Sequence, residues 1–256
     1  MGWSRMVSLA SKAAIGESPH ESLRAELTSV SKASYIPGSD ISMTLVEGWS
    51  AAIDQFLADS VISEEEETRL TKFAEEFSLG QDDLDFDGAY TRMVQGAALG
   101  EVLEGKIPSR INITGSVPFN LQKSESLVWL FQDVPYYEDV TRRERKGGYQ
   151  GVSVRVMKGV YYNTGGFQSR SVERVSTELA DEGLLGITTK HVYFAGPRKK
   201  FRVPYAKMVS IEPYADGIEI MRDAASAKPQ KFITGDGWFI YNLVANLAQG
   251  TLSNSG

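Results

Sequence analysis

The sequence predicts an α+β chain: a small helical bundle, then an antiparallel β-barrel capped by a C-terminal amphipathic helix. Three observations carry that reading. Apolar residues recur at helical spacing from Ser42 to Leu103, alternate with polar ones from Leu127 to Thr234, and return to helical spacing from Trp238 to Gln249. Charge divides at the same place, because residues 1–114 carry 9 Lys+Arg against 19 Asp+Glu while 115–256 carry 18 against 14. Of 256 residues, 42% are hydrophobic and 23% charged, a globular composition with room for two modest domains. The expected organisation is a partly ordered arm over 1–41, an acidic helical bundle over 42–108, the barrel with its helix over 115–250 and a frayed tail over 251–256.

The elements follow in order. In the arm, Ser18 and Pro19 suit the start of a short helix over Ser18–Thr28, and Pro37-Gly38 makes a turn. Leu45, Trp49, Ile53, Phe56 and Leu57 form the apolar stripe of the first bundle helix. Ser63 caps the second, with Glu66 three residues on as in a capping box and Glu64 to Glu67 in the first turn, where the helix dipole favours anions. Leu70, Phe73, Ala74 and Phe77 are its buried face. A third helix runs from about Phe86 to Leu103, with Tyr90, Met93, Ala97 and Val102 as its inner row.

After Pro108 the period becomes two. RINITGSVPF is a short alternating run, and Leu127–Phe131 with Tyr136–Val140 read as one strand interrupted at Pro135 by a bulge or an edge position. Arg142–Gly151 reads as a charged, glycine-rich hairpin loop, Thr164-Gly165-Gly166 as a turn, and Val152–Val156, Val160–Tyr162 and Val172–Leu179 as strands. Gly183–Tyr214 is a meander: Ile187, Val192 and Phe194 alternate, Gly196-Pro197 turns, and Phe201, Val203 and Tyr205 resume the period, with Val209 and Ile211 sealing the far side. Gly217–Arg222 and Lys231–Thr234 complete the strands. Ile240, Leu243, Val244 and Leu247 form the stripe of the last helix, with Asp236 as its cap.

Gly183-Leu184-Leu185-Gly186-Ile187-Thr188-Thr189-Lys190-His191-Val192-Tyr193-Phe194, followed by the strand Phe201–Tyr205 and Val209–Ile211, resembles the GRAM and bacterial PH-type signature. Antiparallel strands closed by one C-terminal helix are also the layout of the pleckstrin-homology-like superfold. The resemblance covers about residues 118–249 and implies a binding module rather than a defined activity. Ser60–Glu66 is similar to the phrase before an amphipathic helix in TerB-type or EF-hand-like bundles, although Asp59-Ser60-Val61 stands where that phrase has Asp-Gly.

Composition restricts the chemistry. With no cysteine there is no disulfide framework and no thiolate site. His20 and His191 are the only histidines, so no His pair can anchor zinc, and His191 is expected to face outward from a strand. No apolar run approaches the roughly 20 residues of a spanning helix and no apolar signal region follows Met1, so a cytoplasmic chain is expected. Met6 stands where a myristoylation signal at Gly2 needs Ser or Thr. The overall negative charge argues against a nucleic-acid partner.

Three clusters are candidate sites. Arg198, Lys199, Lys200 and Arg202 occupy one hairpin tip, and Arg142, Arg143, Arg145 and Lys146 another. Flexible cations at a barrel mouth can converge on an anionic head group or peptide, while the plain alternative is solubilising tips and protected sheet edges. Asp83, Asp85 and Asp87 match the start of a calcium loop, D-x-D-x-D-G, but its twelfth position is Val94 rather than a bidentate Glu. The same acids suit the start of the third helix. The resulting expectation is a non-enzymatic binding or scaffold protein without a cofactor, engaging a protein partner or an anionic membrane surface. The competing readings are a metal-dependent hydrolase or effector built on the three aspartates and a self-assembling structural protein.

Overall fold

The computed structural model describes residues 1–111, 113, 117–157, 160–225 and 227–253, and for 142–174 and 251–253 the backbone alone. Six helices come first: α1 (Gly2–Ala14), α2 (His20–Ala33), α3 (Ile41–Phe56), α4 (Glu64–Phe77), α5 (Gln81–Leu84) and α6 (Ala89–Leu103). Seven strands follow, β1 (Leu127–Met157), β2 (Val160–Thr188), β3 (His191–Ala195), β4 (Lys200–Pro204), β5 (Met208–Pro213), β6 (Gly217–Arg222) and β7 (Gln230–Ile233), and then α7 (Gly237–Ser253). The fold is α+β, with the strands in one antiparallel sheet curled into a half-barrel, order β4-β3-β2-β1-β7-β6-β5.

The arm expected over 1–41 is instead two helices docked on the bundle. Met6, Ala10, Ala13 and Ala14 of α1 are buried in the same apolar cluster as Leu23 and Leu27 of α2 and Trp49 and Ile53 of α3. The sequence signal was thin because α1 packs with small side chains. A Cβ at Gly48 would lie 2.4 Å from that of Ala10, so α3 accepts α1 only through a glycine. The rest of the bundle follows its sequence pattern. Ser63 Oγ accepts from Glu66 N (3.3 Å) and Glu66 Oε2 from Ser63 N (2.9 Å), closing the capping box at α4. Trp49 Nε1 donates to Leu70 O (3.0 Å) and ties α3 to α4.

The half-barrel has its own core of Val128, Tyr136, Leu185, Ile187, Val192, Phe194, Val203, Ile218, Ile220 and Phe232, closed by Phe239, Ile240, Leu243 and Val244 of α7. Asp236 Oδ1 accepts from Phe239 N (2.9 Å) and caps that helix. Leu99 of α6 belongs to this second core, so α6 serves both. Residues 117–119 lie over the outer face of the sheet, where Phe119 packs on Tyr193 and Ala195.

Two strand expectations need correction, and of the two alternatives at Pro135 the structure takes one. Residues 109–119 contain no strand among those described. The break at Pro135 is a bulge, with a register shift between Phe131 and Val134, in a central strand rather than an edge. Val209 is 66% exposed because a shift between Met208 and Ser210 moves it off the inward row.

The largest difference concerns Arg142–Gly151 and Thr164–Gly166. Both expected reversals are strand interior, paired across one ribbon with Gly151 opposite Gly165 and Gly148 opposite Gln168. Two glycine-rich pieces that each read locally as a turn sit face to face. β1 meets β7 only at Tyr136–Glu138, and β2 meets β3 only at Leu184–Ile187. From Asp139 onward the ribbon has no further strand neighbour among the described residues, and at about 3.3 Å per residue its 139–157 strand spans about 60 Å.

Candidate functional site

The candidate site is the mouth of the half-barrel, where the β3–β4 turn meets β1, β2, β6 and β7. Asp181 on β2 organises it. Its Oδ2 accepts from Arg198 N (2.8 Å) and Lys199 N (2.6 Å), and its Oδ1 accepts from Glu182 N (3.0 Å). Burial would raise this carboxyl, but the backbone donors outweigh it and hold it below the usual carboxylate range. A Cβ at Gly196 would stand 2.4 Å from Asp181 Oδ2, so glycine lets the turn close over the carboxylate.

The expected anion-binding cations divide unequally here. Arg198 Nε lies 3.4 Å from Asp181 Oδ1, and Lys199 Nζ lies 3.0 Å from Glu138 Oε2. The turn's own N–H groups, which would greet an anion, are therefore committed to Asp181. Lys200 and Arg202 point outward on edge strand β4, with Arg202 Nη1 donating to Tyr193 Oη at 3.4 Å. Deeper in, Tyr136 Oη donates to Glu138 Oε1 (2.6 Å) and accepts from Gln230 Nε2 (3.0 Å). Burial, reinforced by the bond to Glu138, pushes the Tyr136 phenol up. Burial would raise Glu138 as well, but the Tyr136 and Lys199 contacts lower it. Gln230 Oε1 and Arg222 Nε are buried without a partner among the described residues, which leaves one acceptor and one donor unanswered there.

Arg142, Arg143, Arg145 and Lys146 are not on a loop. They are strand residues of β1, with Arg142 opposite Arg174, Arg143 opposite Glu173, Arg145 opposite Ser171 and Lys146 opposite Arg170. They stand along the ribbon, beyond the turn that carries Arg198, instead of forming a second rim.

Asp83, Asp85 and Asp87 serve the turn between α4 and α6. Asp83 Oδ2 accepts from Gly80 N (3.3 Å), Asp85 from Thr91 N and Oγ1 (2.9 Å each), and Asp87 from Ala89 N (3.0 Å) and Ser50 Oγ (2.7 Å). Among the described residues no three His, Asp or Glu side chains are grouped to hold a metal ion.

A buried polar clasp was missed by sequence reasoning. Glu125 accepts from the Thr188 hydroxyl, Gln122 N (2.7 Å) and Tyr193 Oη (3.0 Å), and lies 2.8 Å from His191 Nδ1. Burial would raise Glu125, yet these contacts together lower it. His191 is therefore buried, not outward-facing. A Thr, His and Glu in contact invite comparison with a nucleophile and its base, but Thr188 is fully buried and its hydroxyl also contacts His191 O and N at 2.9 Å. The group fastens the 117–126 segment to β2 and β3. Glu125 stands more than 60 residues before Thr188, His191 and Tyr193 in the chain, so no local motif announces the group.

No protein-family model matches this chain, and neither curated proteins nor solved structures provide a match. No helix among the described residues is long and apolar enough to cross a membrane.

Proposed function

We propose that this chain is a non-enzymatic binding protein: a pleckstrin-homology-like frame that presents an elongated β-ribbon to a protein partner. One antiparallel seven-stranded sheet followed by a single amphipathic helix supports the frame. The ribbon carries the functional reading. A two-stranded arm continues beyond Glu138 with no further strand neighbour among the described residues, and free edges are templates for further pairing. A partner that covers the arm accounts for its length.

The test is excision. Thr141 pairs with Val175, so replacing 142–174 by Asn-Gly closes the hairpin with a two-residue turn. The shortened chain is expected to fold and to lose the proteins captured by the full chain from its host, quantified by mass spectrometry. Retention of every captured protein overturns the reading.

The unpartnered Gln230 Oε1 and Arg222 Nε favour a second reading, a small anionic ligand with a hydroxyl donor at the mouth. Inorganic phosphate and vesicles with anionic lipid are the probes. Arg222→Ala should weaken binding if the mouth is used, and an unchanged response removes this reading.

A further inference from the structure

The chain that leaves α6 runs back across α4 and α6. Lys106 N donates to Glu101 O (2.8 Å) as the helix ends, and Gly105 takes a left-handed φ of +76°. Among the described residues, 107–111 then make no backbone hydrogen bond. Ile107 is 55% exposed, and neither Ile107 nor Ile111 joins an apolar core.

One side chain fastens this stretch. Arg110 reaches between the two helices, where its Nη1 and Nη2 donate to Glu67 of α4 (2.6 and 2.8 Å) and Nη2 also donates to Glu101 of α6. The side chain is largely buried, while its Nε has no partner among the described residues. Bonds from a guanidinium fork to carboxylates are strong and depend on one geometry, so they are lost together when the fork moves.

Arg110 and Glu67 are also the wall shared by two cavities. The smaller, about 290 Å³, is lined by Ile62, Ala97, Gly100 and Glu101, and the larger, about 500 Å³, has an apolar floor that includes Leu84, Tyr90, Met93 and Val94. Among the described residues, the helices and their ends line these cavities with Glu64, Glu67, Glu75, Glu101 and Glu104 and with no cation. Both cations there, Lys106 and Arg110, come from the crossing stretch, and Lys106 Nζ lies 2.7 Å from Glu104 Oε2. The stretch is therefore held by charge, above two cavities.

We propose that residues 105–111 form a gate on the groove between α4 and α6, hinged at Gly105 and locked by Arg110 between Glu67 and Glu101. Unlocking removes the wall between the cavities and joins them into one groove of a size that takes a small ligand. The gate swings and does not detach, because the chain is next held at Val117 and Phe119 against the half-barrel. It does not depend on the reading of the ribbon as a binding arm.

The full chain has no cysteine, so an introduced thiol reports a single position. Ala97→Cys places one in the smaller cavity where the native side chain is 2% exposed, and its rate of modification by a maleimide is compared with and without Arg110→Ala. Loss of three charge-assisted bonds should speed that reaction on the order of tenfold or more. Spin labels on Ile107→Cys in the gate and Lys72→Cys on the exposed side of α4 read the motion itself. One narrow distance distribution is expected with Arg110 in place, and a broader one reaching longer distances with Arg110→Ala. Circular dichroism checks folding; if Arg110→Ala does not fold, Glu67→Gln loosens the lock from the other side and takes its place. Distances that do not change on unlocking, or a thiol rate that unlocking does not raise, overturn the gate.

Discussion

The β3–β4 turn and the β1–β2 ribbon are the two basic stretches of the half-barrel, and they meet their charge in opposite ways. At the turn, the fold supplies the anions: Asp181 takes the N–H groups of Arg198 and Lys199, and Glu138 takes the Lys199 ammonium. Along the ribbon, the register sets cation opposite cation at Arg142–Arg174 and Lys146–Arg170, and cation opposite anion at Arg143–Glu173. Charge satisfied internally holds a fold together. The turn is thus a structural joint, and the ribbon is the stretch we propose as the contact surface.

The largest effect should come from breaking the joint. Asp181→Ala leaves three backbone donors facing a vacated, buried position, and the thermal midpoint should fall by several degrees in circular dichroism. Arg143→Ala in the ribbon should leave the midpoint unmoved. Equal losses from the two variants would dissolve the contrast.

Acid should act on the same side of the comparison. Asp181, Glu138 and Glu125 are all lower in the folded chain than their ordinary values of 3.8, 4.5 and 4.5. The unfolded chain therefore binds more protons in the window below those values, and stability is lost as the pH falls through it. Denaturant midpoints measured from neutral pH downward should be level until that window and then decline. Glu125→Gln should flatten part of the decline, and an unchanged slope would contradict the clasp.

The smallest effect belongs to the helical bundle, remote from both basic stretches. Ser63→Ala removes a capping box and should cost about 1 kcal/mol in denaturant unfolding. It should leave partner capture intact, which separates general destabilisation from loss of the contact surface.

What was legible in the sequence was whatever is decided within a few residues. Ser63 and Glu66 gave the start of α4, the stripe Leu45–Trp49–Ile53 gave α3, and the alternation Val192–Phe194 and Phe201–Val203 gave β3 and β4. What stayed hidden was decided by distant partners. Gly151 and Gly165 each look like a turn until they are placed opposite one another. His191 looks exposed until Glu125, far away in the chain, closes on it. The turn cations look free until Asp181 is brought beneath them. A one-residue bulge reversed Val209, and α1 was concealed because it packs through alanines against Gly48.

The central claim is that binding belongs to the ribbon and not to the turn. Parallel capture from the host with the full chain, the chain lacking 142–174, and the chain carrying Arg198→Glu, Lys199→Glu and Lys200→Glu tests it most directly. The account predicts that excision abolishes capture while the turn variant keeps it. Capture that survives excision and is lost with the turn variant would contradict it.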